Sequence, residues 1–273
     1  MSILASLGRI VGAMFCFVLL AVAVFYFYQE RIIFFPEVLA PDFRFRFSQS
    51  FREANLDLGS GRRINYLVFE VPAPQGTILY FHGNAGSLKD WGWVGDSISK
   101  MTGWNVWIMD YPGYGKSTGP LPKNEKVLLE MGRVLIATIS NTEPRLPLVL
   151  YGRSIGSGIA SALATESRVV GLVLETPYKS LGKLGHEIYP VLPEFFSRFD
   201  LDNEKSIRSI GSKPVLLIHG DSDSLIPPGH SEALSQLAAN GKFVRIAHGE
   251  HNNLSEFPEY WKALDAFLKK LVL

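Results

Sequence analysis

The sequence predicts an α/β fold, a mainly parallel, twisted sheet with helices on both faces, preceded by one N-terminal transmembrane helix. Three observations lead there. From residue 77 onward, short apolar runs of strand length alternate with helix-length amphipathic runs, the pattern of a parallel sheet covered on both sides. The length of 273 residues suits one large α/β domain. Near the N-terminus, residues 10–28 contain no charged side chain.

That uncharged run is bounded by Arg9 on one side and by Gln29, Glu30 and Arg31 on the other. As a helix rising about 1.5 Å per residue it spans roughly 28 Å, close to a bilayer's hydrocarbon core. Tyr26 and Tyr28 fall where interfacial aromatics belong. A cleaved signal peptide and a buried helix are the competing readings. Ala21-Val22-Ala23 resembles a cleavage site, but the apolar run continues past it through Phe27. Phe15 before Cys16 is too bulky for a typical bacterial lipoprotein signal. The expected organisation is a tail over 1–9, an anchor over 10–28 and one α/β domain over 29–273. The expected location is therefore a membrane, crossed once. Arg9 before the helix and Arg31, Arg44 and Arg46 after it leave open which side the domain occupies.

Beyond the anchor, Phe43-Arg44-Phe45-Arg46-Phe47 alternates strictly and predicts a half-buried strand with its Phe face inward. Gly59-Ser60-Gly61 is a turn before a second strand over 64–71. Further strands are expected over 77–81, 106–109, 148–151, 169–174, 214–218 and 243–246. Helices are expected over 89–101, 124–140, 156–165, 229–239 and 258–271. Residues 179–210 break the alternation with aromatics and prolines and no strand pattern. That is longer than an ordinary loop and suits a cap over a site.

Composition excludes several classes. Hydrophobic residues are 47% and charged residues 19%, which excludes a wholly disordered chain. The net charge of +1 gives no basic field for nucleic acid. The single Cys16 excludes an intrachain disulfide and a Cys-rich zinc site. No His/Glu helical pair suggests a catalytic metal, and the expected chemistry needs no cofactor.

That chemistry centres on Gly152-Arg153-Ser154-Ile155-Gly156, between an apolar strand and a helix. A turn there holds the serine in a strained geometry, and flanking glycines remove Cβ clashes. The hydroxyl then stands beside a helix N-terminus, whose amides favour negative charge. A serine needs a base to take its proton. Of the six His, His82 and His219 precede glycines at strand ends and read as turn formers. His251 is the expected base, deep in the loop before the last helix, with His248 as the alternative. The base needs an acid to fix its tautomer. Asp223 is the expected acid, with Asp221 as a turn former and Glu175 as the rival position. The oxyanion needs two amide donors: Ile155 after the nucleophile, and Asn84, with Ala85 next, in the loop after strand 77–81.

Taken together, these residues resemble a serine hydrolase of the α/β-hydrolase superfamily, in its membrane-anchored BEM46-like branch. The resemblance runs over residues 29–273. Its marks are Phe81-His82-Gly83-Asn84-Ala85-Gly86, Asp110-Tyr111-Pro112-Gly113-Tyr114-Gly115, the elbow at Ser154, His219-Gly220-Asp221-Ser222-Asp223 and Gly249-Glu250-His251-Asn252. The order Ser154, Asp223, His251 is that of α/β-hydrolases. One departure is Pro112, where many relatives carry Arg. The resemblance implies hydrolysis of an ester or thioester through an acyl-enzyme and does not fix the acyl group; the membrane tether suggests an acyl or lipid-like substrate that partitions to the bilayer. A peptidase or amidase on the same triad, and a catalytically silent scaffold, are the alternatives.

Overall fold

The computed structural model describes residues 3–59 and 61–272. Helix α1 spans Ile3–Phe27, and within it Ser6–Phe27 is long and apolar enough to cross a membrane, with none of its apolar window buried against the rest of the chain. The helix begins inside the expected tail, where no proline interrupts it before Ile10. Met1 and Ser2 of that tail, and Leu273 at the end of the expected domain, lie outside the described residues.

A short helix α2 (Gln29–Ile33) leads into β1 (Phe35–Pro36). Then come β2 (Phe51–Asp57), β3 (Arg63–Phe69), β4 (Thr77–Phe81), β5 (Ala85–Gly86), α3 (Leu88–Thr102), β6 (Asn105–Met109) and α4 (Lys126–Thr142). They are followed by β7 (Leu148–Arg153), α5 (Ile155–Leu163), β8 (Val169–Glu175), α6 (Leu181–Ile188) and α7 (Asn203–Ser209). The chain ends with β9 (Pro214–Gly220), α8 (Gly229–Leu237), β10 (Asn240–Ile246) and α9 (Pro258–Lys269). Between β2 and β3 both Gly59 and Gly61 adopt φ +73°, as the expected turn requires. Ser60 of that turn lies outside the described residues.

The main sheet has the order β10-β9-β8-β7-β4-β6-β3-β2. From β6 to β10 all pairings are parallel, while β3 is antiparallel to both β2 and β6. Side chains of the central strands alternate between two cores. Leu79 and Phe81 point to the face covered by α4, α5 and α8, and Ile78 and Tyr80 to the face covered by α3 and α9. The expected α/β-hydrolase architecture is therefore borne out.

The Phe43–Phe47 strand is not formed. Its alternation is real, since Phe45 is buried and Arg44 and Arg46 are exposed. The segment lies against α3 instead of a ladder. Ser48 Oγ–H and the Gln49 N–H both donate to Asp96 at 2.6 Å, and the Phe47 ring fills the space a Cβ on Gly92 would occupy. The break at 179–210 holds α6, a 3₁₀ turn at Glu194–Phe196 and α7.

β4 and β7 are neighbours whose connections leave in opposite directions along the sheet, to β6 and to β8. Such a switch point leaves a crevice at the carboxyl ends of the strands. The loop after β4 and the turn after β7 both open there.

Candidate active site

Ser154 sits between β7 and α5 with φ 52° and ψ −119°, a conformation rarely adopted by a residue with a Cβ. Its neighbours explain how it is tolerated. A Cβ on Gly152 would meet Gly156 O at 2.4 Å, and one on Gly156 would meet Phe81 O at 2.1 Å. The Ser154 N–H donates to Glu175 O at 3.0 Å, which ties the turn to β8.

At the rim after β9 and β10, the structure brings Asp223 and His251 together. His251 Nδ1–H donates to Asp223 Oδ2 at 2.7 Å. The same oxygen accepts a second bond, from His219 Nε2–H at 3.0 Å, while Oδ1 accepts the N–H groups of Leu225 and Ile226 at 2.9 Å each. Burial works against the charge of Asp223, but the His219 and His251 bonds outweigh it and hold the carboxyl well below the usual carboxylate range. His219 in turn accepts from Ser231 Oγ–H at 2.7 Å. His219 is thus more than the turn former its sequence position suggests. Its only sequence signal is its place four residues before Asp223.

The rival assignments fall elsewhere. Glu175 is buried and occupied: it pairs with Arg153 Nε at 3.2 Å and accepts Tyr151 Oη–H at 2.6 Å and Tyr260 Oη–H at 3.3 Å. His248 is exposed at φ 61°, and its N–H donates to Asp221 Oδ1 at 2.7 Å. Asp221 is thus the loop-former it was expected to be.

Arg153 went unnoticed in the sequence, although it lies inside the elbow motif. From its pair with Glu175 it reaches across to the His251 loop. Its Nη2 donates to His251 O at 2.9 Å and to Asn252 Oδ1 at 2.8 Å, and its guanidinium lies 5.1 Å from the Trp91 ring centroid. The residue before the elbow serine therefore holds the backbone of the loop histidine. Ser154 Oγ and His251 Nε2 form no hydrogen bond with each other or with another protein group among the described residues.

Asn84 and Ile155 both line the cavity in front of Ser154. Ile155 opens α5, where the first N–H groups have no partner within the helix. The Asn84 N–H belongs to the peptide whose carbonyl is Gly83 O. His82 Nδ1–H donates to that carbonyl at 2.7 Å. A planar trans peptide points its N–H opposite its C=O, so this bond aims the Asn84 amide. His82 is fully buried, which lowers its pKa to about 4 and keeps it neutral for this task. The same loop is braced by β1, an element the sequence did not reveal: Phe35 N–H donates to Asn84 O at 2.9 Å, as does Tyr114 Oη–H at 2.6 Å.

The cavity has a volume of about 340 Å³. Tyr178, Leu181 and Leu192 are among its apolar walls, and Phe25 of α1 reaches it too. No Asp or Glu lines it among the described residues.

Comparison with known proteins bears on the fold. Residues 72–206 match a family described as serine aminopeptidase, S33, and residues 191–258 match one described as the alpha/beta hydrolase fold. The chain has the α/β-hydrolase fold. It is 29% identical over 214 residues to protein bem46 of Schizosaccharomyces pombe, covering 75% of this chain and 71% of that one. It is 28% identical over 276 residues to an uncharacterized membrane protein of Saccharomyces cerevisiae, covering 94% of each. An esterase of Pyrococcus furiosus superposes with a TM-score of 0.68 at 18% identity, over 88% of this chain and 98% of the esterase. That likeness speaks for the fold alone.

Proposed function

We propose that this protein is a membrane-anchored serine hydrolase that cleaves a carboxylic ester or thioester of an acyl, lipid-like substrate through an acyl-enzyme. Ser154 Oγ attacks the acyl carbonyl carbon while His251 Nε2 takes its proton. Asp223 holds His251 with Nδ1 protonated and stabilises the imidazolium. The Asn84 and Ile155 amides hold the oxyanion of the tetrahedral intermediate. Collapse expels the alcohol or thiol, which takes the proton from His251. Water then repeats the sequence and frees the carboxylic acid. The observations that carry this reading are the His251–Asp223 bond at 2.7 Å and a serine held at φ 52°.

Two features support the acyl substrate and the membrane. The cavity in front of Ser154 is apolar, and α1, long and apolar enough to cross a bilayer, contributes Phe25 to its wall. The matched family description favours a second reading, an aminopeptidase. Against it, a cationic peptide N-terminus finds no carboxylate in the cavity lining among the described residues.

A fluorophosphonate probe tests the proposal. The expected result is a covalent adduct on the Ser154 peptide of the full-length protein, absent from Ser154→Ala. Folded wild-type protein that fails to label would identify a silent scaffold. Faster turnover of aminoacyl anilides than of matched aryl esters would favour the peptidase.

A further inference from the structure

The tip of the insertion, residues 188–196, runs Ile-Tyr-Pro-Val-Leu-Pro-Glu-Phe-Phe, with Glu194 as its one charge. Soluble surfaces rarely gather large apolar side chains in this way. Here Phe195 is 86% exposed, Val191 80%, Ile188 48% and Tyr189 47%. The tip is also fastened to one particular place, the last turn of α1. Tyr189 and Phe196 pack on Phe25 with ring centroids 5.9 and 6.3 Å apart, and Phe196 meets Tyr26 at 5.1 Å. Arg198 Nη1 donates to Phe27 O at 3.1 Å and pairs with Glu30 at 3.3 Å. Gln29 closes the joint from below, donating to Phe196 O at 2.7 Å and accepting the Arg198 N–H at 2.8 Å.

With α1 in the bilayer, this joint leaves the tip little freedom. Phe25 lies two residues before the end of α1, about 3 Å along its axis. Side chains seated on that turn stand where the helix leaves the hydrocarbon, the level at which amphipathic elements bed their apolar faces. Ile188 and Tyr189 belong both to the exposed tip and to the wall of the cavity that reaches Ser154.

We infer that residues 188–196 form a second membrane-contact element, which beds Val191 and Phe195 in the bilayer interface beside α1 and opens the cavity mouth among the lipid acyl chains. The occupant of this apolar surface is the bilayer in which α1 is embedded. An acyl chain then passes from lipid to Ser154 along the joint between α1 and the insertion without crossing water. The inference rests on the membrane-anchored reading above and deepens it by naming the route of the substrate.

Depth-dependent quenching tests the placement without reference to activity. Full-length protein carrying Cys16→Ala, to remove the one cysteine, is given Val191→Cys, Phe195→Cys or the distant, exposed Lys242→Cys. Each is labelled with an environment-sensitive fluorophore and reconstituted in phosphatidylcholine vesicles. Labels at 191 and 195 are expected to shift to the blue and to be quenched by nitroxides on the upper acyl chain, and the label at 242 is not. Quenching at 195 no stronger than at 242, as when the tip is covered by a protein, overturns the inference.

A second arm uses the double variant Val191→Glu and Phe195→Glu, at positions that do not line the cavity. Turnover of a long-chain ester held in vesicles is expected to fall by about tenfold or more, with turnover of a soluble acetate ester unchanged. Equal loss on both substrates, or none on either, overturns it. Failure of the hydrolytic reading shows separately, as absence of fluorophosphonate labelling, and leaves the quenching result intact.

Discussion

Replacing Asp223 by Asn changes one oxygen's worth of chemistry at the busiest acceptor of the rim. Oδ2 accepts from His251 at 2.7 Å and from His219 at 3.0 Å, and Oδ1 accepts two backbone N–H groups at 2.9 Å. An asparagine retains one accepting oxygen. The backbone pair claims it, because a donor facing the Leu225 and Ile226 amides would repel both. The –NH₂ group then faces two imidazole N–H groups. The relief is for His251 to move its proton to Nε2, which leaves the base unable to accept from Ser154. Loss of the correct tautomer lowers kcat by about ten-thousandfold, equivalent to about 5.5 kcal/mol of barrier. Two charge-assisted bonds are lost as well, for roughly 3 kcal/mol of stability. The assay is steady-state hydrolysis of an aryl ester with the rate of fluorophosphonate labelling, alongside urea unfolding to confirm a folded variant. Loss of less than tenfold in a folded Asp223→Asn protein refutes the reasoning, as does a Glu175→Gln protein that alone abolishes activity.

Four further outcomes are expected. Arg153→Met frees the His251 loop and strands the buried Glu175 charge, so unfolding free energy falls by about 3 kcal/mol or more and the labelling rate falls, whereas intact labelling would show that the loop holds itself. Gly156→Ala drives a methyl into Phe81 O, 2.1 Å away; labelling disappears and the melting temperature drops, and a variant as stable and reactive as wild type would contradict the elbow geometry. His82 carries a folded-state pKa depressed from 6.5 to about 4, so the unfolded chain takes the proton first as pH falls. Its contribution is present above pH 6.5 and is lost towards pH 4, about 3–4 kcal/mol in total. Denaturant unfolding at pH 7 and pH 4.5 checks this, since His82→Asn should be less sensitive to that change than wild type. Asp223 is also depressed, from 3.8, so its stabilisation is present above about pH 4 and disappears below it; wild type should lose more stability than Asp223→Asn between pH 4 and pH 2 in thermal melts.

The elements most legible in the sequence were those whose pattern is local. Thr77–Phe81 reads as a strand because it is a short apolar run that ends in His-Gly, and the strand has those bounds. The Ser154 turn reads from two glycines and its position between a strand and a helix. Phe43–Phe47 shows where such reading stops. Alternation reports which side chains face the core, and that held, but a strand also needs a partner, and the neighbouring backbone bonds Asp96 on α3 instead. β1 and β5 are two residues each and too short for any periodicity.

Residue types and spacing by themselves determined the fold class, the strand–helix order and a short list of chemistry-bearing side chains, because propensity and turn geometry act between neighbours in the chain. Tertiary structure decided which members of that list meet. It put Asp223, rather than Glu175, against His251, gave Glu175 to Arg153, and made His82 and His219 supports for the groups beside them. It also seated the insertion on the end of α1. The Asp223–His251, Arg153–Glu175 and insertion–α1 contacts join residues tens to more than 150 positions apart, and strand order and helix packing set them, which no run of neighbouring residues encodes.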